Sequence, residues 1–140
     1  MPGVSFHAAC IKKIEARIGV QLIKLRGANY GTADGGTHVV CAASHTYELG
    51  SRVWYWFSIQ RKHHDDLKDS KGGYVAFGCG SADTTLLIPA ARFLPLLDRL
   101  NVTKKGERVY WHVTIVKEGD RLMLRPRSGY EQVDLSGYLL

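Results

Sequence analysis

The stretch Arg52–Gln60, reading Arg-Val-Trp-Tyr-Trp-Phe-Ser-Ile-Gln, constrains this chain more than any other. Valine, isoleucine and the aromatics pack best on a pleated surface, and their order here has no helical period. The stretch predicts a β-strand. With period 2, Val53, Tyr55, Phe57 and Ile59 share one face, and Trp54, Trp56, Ser58, Gln60 and Lys62 share the other. An exposed aromatic row of this density would aggregate, so the expectation is the central strand of a mixed sheet, covered on both faces.

The remaining pattern supplies partners for it. Phe6, Cys10, Ile14 and Ile18 recur at helical spacing, Ser5 can cap the first turn, and Gly19 stops the helix. Val20–Leu25 is a short strand candidate, and Thr37–Ser44 reads as a strand that is apolar on both faces near its middle. The glycines at 27, 31, 35 and 36, together with Asn29 and Asp34, mark turns. Residues 63–71 suggest a short polar helix, and Gly73–Cys79 and Thr84–Ile88 two further strands. Pro89 suits the first position of a helix that buries Phe93, Leu96, Leu97 and Leu100. Arg108–Lys117 and Arg121–Arg125 form a hairpin around Glu118-Gly119-Asp120, and the tail from Val133 can cover a sheet edge. The predicted fold is α+β: a central mixed β-sheet flanked by helices, with a C-terminal β-hairpin.

A length of 140 residues fits one domain, 1–140, and there is no repeat or linker to divide it. No run approaches the ~18 apolar residues of a membrane span. The opening residues lack a basic region leading into an apolar run, so no secretory leader is expected. Three scattered cysteines, Cys10, Cys41 and Cys79, read as reduced, buried thiols of a cytoplasmic protein. The net charge of +6 suits a polyanionic partner. It is concentrated late in the chain: Lys104, Lys105, Arg108, Lys117, Arg121, Arg125 and Arg127 are interrupted only by Glu107, Glu118 and Asp120. Tyr110 and Trp111 lie in the same stretch. Cations neutralise phosphates and aromatic rings stack on unpaired bases, so Lys104, Lys105, Arg108, Arg121 and Arg125 are candidate nucleic-acid contacts.

A second candidate is catalytic. Asp34-Gly35-Gly36-Thr37-His38 precedes a strand, and Gln60-Arg61-Lys62 ends the aromatic one. Gln-x-Lys on a strand puts an oxygen ligand and an ammonium on one side, where a metal and an attacking water can sit. These residues resemble the PD-(D/E)xK restriction-endonuclease-like superfamily, in its Mrr-type flavour, over roughly residues 5 to 80. The resemblance implies a Mg²⁺- or Mn²⁺-dependent DNA endonuclease in a prokaryotic defence or repair setting. Asp34 and Gln60 would hold the metal, Lys62 would orient the water, and Glu15 of the first helix would assist. The family's metal-binding Asp follows the glycines, where this chain has Thr37-His38, so Asp34 takes that role, with Glu48 in reserve. An imidazole at the acid position suits Mn²⁺ better than Mg²⁺.

Other readings compete with it. The chain can be a non-catalytic nucleic-acid- or protein-binding module, alone, as a homodimer or in a larger complex. Trp54, Tyr55 and Trp56 can line a small-ligand pocket. His63-His64-Asp65-Asp66 is rich in metal ligands, but neighbours in sequence do not face one point, so a solvated helix start is the expectation. Cys79, between Gly78 and Gly80, is expected to be structural rather than nucleophilic.

Overall fold

The computed structural model describes residues 5–140; residues 1–4, on which the leader reading partly rests, lie outside it. Helix α1 spans Phe6–Ile18. The Ser5 hydroxyl accepts from the Ala8 N–H at 3.1 Å, and Gly19, at φ 72°, closes the other end by donating to the Glu15 carbonyl. Only glycine adopts that left-handed conformation without strain, which is why the helix stops there.

Two sheets follow. The first is mixed and runs β1 (Ile23–Lys24), β2 (Asn29–Gly31), β3 (His38–Ser44), β6 (Gly73–Cys79), β7 (Thr85–Pro89). Its β3–β6 pair is parallel and the others are antiparallel. A parallel pair needs a long crossover. Here it holds β4 (Tyr47–Leu49), β5 (Arg52–Gln60) and α2 (Arg61–Asp69). The second sheet is antiparallel. It places β5 between β4 and the eleven-residue β9 (Arg108–Glu118), followed by β10 (Arg121–Arg125) and β11 (Val133–Asp134). β8 (Val102–Lys105) pairs with the first half of β9. Three hairpins of this sheet close through two-residue loops that begin with a positive-φ glycine: Gly50-Ser51, Gly106-Glu107 and Gly119-Asp120. That placement suits the twist of antiparallel strands.

The layers are α1, mixed sheet, antiparallel sheet. α1 buries Cys10, Ile11 and Ile14 against Val39, Cys41, Ala76 and Leu87. The contact is close: a Cβ on Gly78 would stand 2.6 Å from the Phe6 ring and 2.7 Å from the Cys10 sulfur. The main core lies between the sheets, where Phe77 meets Phe57 at 4.6 Å and Phe93 at 5.4 Å between ring centroids. Leu67 of α2 joins it, as does Phe93 of α3 (Ala90–Phe93). α3 gives way to a 3₁₀ turn over Leu94–Arg99, where Pro95 has no N–H to continue an α-helix. The tail closes an edge of each sheet: β11 on β10, and Leu139 bridged to Leu86 of β7.

The α+β class with a mixed sheet is as expected, and so are α1, its cap and its stop. Three expectations change. β5 is central, but to the antiparallel sheet, because its partner is β9. Only one of its faces is covered: Tyr55, Phe57 and Ile59 are buried, while Trp56 is 39% exposed. The strand ends at Gln60, so Lys62 lies in the first turn of α2 and does not share a strand face with Gln60.

Candidate nucleic-acid interface

Directly paired residues of antiparallel strands share a face, so the register of the second sheet defines its outer surface. Trp54 lies between Tyr47 and Val116, Trp56 faces Thr114, Ser58 faces His112, and Gln60 faces Tyr110. Thr103 continues the row beyond Tyr110, Arg125 beyond Thr114, and Met123 beyond Val116. Among the described residues no helix lies over this face. α1 packs on β3, β6 and β7, α3 on β6 and β7, and α2 reaches β9 from the inner side, where His64 meets Trp111 at 5.6 Å.

The aromatic rings form two groups along this face, Tyr47 with Trp54 and Trp56 with His112 and Tyr110. Tyr47 and Trp54 lie nearly parallel, 5.7 Å apart at 13°. Trp56 and His112 are 5.8 Å apart, and His112 and Tyr110 are 5.1 Å apart. The second group is held in place by hydrogen bonds. The Trp56 indole N–H donates to Nδ1 of His112 at 3.3 Å. An indole only donates, so the His112 proton sits on Nε2, which contacts the Thr103 hydroxyl at 2.6 Å. The Arg108 guanidinium lies 5.8 Å from the Tyr110 ring centre.

Cations border the rings. Lys105 and Arg108 pair at one end, and Arg121 and Arg125 lie on the far strand, on the outer-face parity. Lys104 pairs with Val109 and so has the opposite parity. Four of the five predicted contacts therefore gather on one surface. Arg52, paired with Leu49 on the same face, is a fifth cation that the late basic cluster does not point to. Among the described residues the sole acid–base contact within salt-bridge distance is His64–Asp65, so none of these five cations is locked into a salt bridge. Beside Trp54 the face hollows into a cleft of about 410 Å³ that reaches Glu118, Arg125 and Gln132.

The catalytic candidates stand on different elements. Asp34 is exposed in the β2–β3 turn, where its carboxylate accepts from the Thr32 hydroxyl at 2.6 Å and the Gly36 N–H at 2.9 Å. Those bonds hold its carboxyl below the usual range. Glu15, on α1, accepts from the Leu22 N–H at 2.7 Å and so fixes the chain after the helix. The turn carrying Asp34 adjoins Asp66, Asp69 and Ser70 at the end of α2, whereas Gln60 and Lys62 stand at its start. Glu48 is exposed on β4. Among the described residues no three His, Cys, Asp or Glu side chains come together as a metal-holding group. The Asp34 carboxylate expected to hold Mg²⁺ or Mn²⁺ is engaged by Thr32 and Gly36 of its own turn.

The histidine pair divides as the adjacency argument expects. His63 turns inward, and its Nδ1 accepts from the Gln60 N–H at 3.2 Å, which caps α2. His64 turns outward to Asp65 at 2.9 Å. Burial, then the Lys62 charge, hold His63 below the usual imidazole range. Its neutral form therefore stabilises the fold above the unfolded value near 6.5, and that contribution is lost as pH falls through the folded value. Urea midpoints should drop between about pH 8 and about pH 5, and the drop should shrink in His63→Gln. Equal drops in the two proteins would exclude His63 as the group responsible. The three cysteines are free and buried. Burial pushes the Cys79 thiol up to about 12, which leaves it protonated and inert.

No helix among the described residues is long and apolar enough to cross a membrane. Set beside family models, curated proteins and solved structures, the chain matches none of them.

Proposed function

We propose that this chain binds single-stranded nucleic acid on the outer face of its antiparallel sheet. One observation carries the reading: an uncovered sheet face that aligns the rings Tyr47, Trp54, Trp56, His112 and Tyr110, bordered by five cations that form no salt bridge. Unpaired bases stack on such rings whatever their identity, and the cations follow the phosphates. A duplex hides the base faces that the rings would meet, so single strands are preferred.

The nuclease-like frame belongs to the same proposal. It is supported by the order of α1, the antiparallel strands β1 to β3, α2 and the parallel β6, with the β4–β5 hairpin inserted before α2. The site geometry favours binding over cleavage on that frame.

The test is fluorescence anisotropy with a labelled oligothymidylate of about 15 nucleotides, its duplex, and Trp56→Ala. Stacking is worth about 1–3 kcal/mol per base, so Trp56→Ala should weaken single-strand binding roughly tenfold. No binding of single strands at low salt, or equal binding by Trp56→Ala, overturns the proposal. Adding Mg²⁺ or Mn²⁺ to the same samples tests hydrolysis. Metal-dependent cleavage that Lys62→Ala abolishes would replace the binding-only reading with an enzymatic one.

A further inference from the structure

The geometry points to a guanine-selective pocket in the cleft beside Trp54, a place where an otherwise sequence-tolerant platform reads one base of a single strand. The inference rests on the single-strand reading above and adds to it a base identity.

The cleft opens on the outer face, in line with the aromatic rings, and at about 410 Å³ it is sized for one nucleotide rather than a longer segment. Trp54 and Val116, paired across β5 and β9, give it a flat apolar wall. Arg52 and Arg125, both on the outer-face parity, border it with positive charge, which suits the phosphate of an inserted nucleotide. Glu118 is out of place in such a site. It is the one carboxylate lining the cleft, and a carboxylate opposes phosphate binding. The Gln132 side-chain amide reaches its Oε1 at 3.4 Å.

A carboxylate is an acceptor only, so it matches a base edge made of donors. Guanine is the base whose Watson–Crick edge offers two adjacent donors, N1–H and the N2 amino group. Adenine and cytosine place a ring acceptor beside their amino group, and thymine and uracil flank their single N–H with carbonyls. Against Glu118 each of these sets at least one lone pair toward a negative oxygen. The Thr114 hydroxyl and the Arg125 guanidinium, also on the lining, supply donors for the guanine O6. Trp54 stacks on the ring, Glu118 reads the donor edge, and the cations hold the phosphate.

The experiment measures binding of oligothymidylate and of the same strand carrying one central dG, with wild type and Glu118→Gln, and competition by GMP, AMP, CMP and UMP. A good bidentate contact gives the dG strand an advantage of roughly tenfold in the wild type. GMP should compete better than the other nucleotides. In Glu118→Gln the advantage should collapse, while plain oligothymidylate binds more tightly because a negative charge has gone. Equal affinity for the two strands, or an advantage that survives in Glu118→Gln, overturns the guanine pocket and leaves the platform standing. GMP selectivity without any dG advantage also overturns it, since the pocket would then take free nucleotides and not a base within a strand. Failure of the wild type to bind either strand overturns the platform itself.

Discussion

Raising salt from about 50 to about 200 mM should lower affinity for single-stranded oligothymidylate about a hundredfold. Each phosphate neutralised on a single strand contributes about −0.7 to the slope of log K against log salt. Arg52, Lys105, Arg108, Arg121 and Arg125 share the outer face, and five contacts give a slope of about −3.5. A fourfold rise in salt then costs about two powers of ten. Neighbouring residues sharpen the test. Lys104 and Lys105 carry the same charge and are both exposed, but they stand on opposite parities of β8. Lys105→Glu should reduce the slope by about 0.7 and weaken binding, and Lys104→Glu should do much less. If net charge alone attracts the nucleic acid, the two reversals will have equal effects, and the assignment of the binding face fails.

The faces of β5 were legible in the sequence because alternation depends only on local backbone geometry. Its sheet was not. β5 pairs with β9, some fifty residues downstream, and period 2 carries no information about which distant strand supplies the partner. The aromatic density of Arg52–Gln60 was therefore explained by burial on both sides, whereas Trp54 and Trp56 stand on an open face. β8 left a weaker trace. Val102–Lys105 is polar and half charged, and its signal is the Gly106-Glu107 loop, alike in form to Gly50-Ser51 and Gly119-Asp120.

The site was legible in part for the same reason. Lys105, Arg108, Arg121 and Arg125 lie close together in sequence and on adjacent strands, so a basic cluster locates them. Arg52 joins them through the β5–β9 pairing, which no local pattern reveals. Lys62 shows the opposite failure. Gln60-Arg61-Lys62 continues a strand pattern, but His63 takes the Gln60 N–H and starts a helix, which turns Lys62 off the sheet. Asp34 joins these residues only through the family resemblance. Its carboxylate instead bonds Thr32 and Gly36 and stabilises its own turn, which is a common use of aspartate beside glycine.

Trp56 and Phe57 are consecutive residues whose truncations should have opposite consequences. Phe57 is 3% exposed and packs on Phe77 between the sheets. Phe57→Ala removes a whole ring from a close-packed interior and should cost about 3–5 kcal/mol, lowering the melting temperature by roughly 10 °C. Its binding of single strands, measured well below that temperature, should change little, since the outer face keeps its rings. Trp56→Ala removes a larger side chain, but one that is 39% exposed and bonded at its edge to His112. It should cost about 1 kcal/mol of stability while weakening binding roughly tenfold. The two measurements together separate a core strand from a binding strand within one element. Large losses of stability from both would mean that the outer face is packed against something, and a sheet face already covered has no room for a nucleic-acid strand.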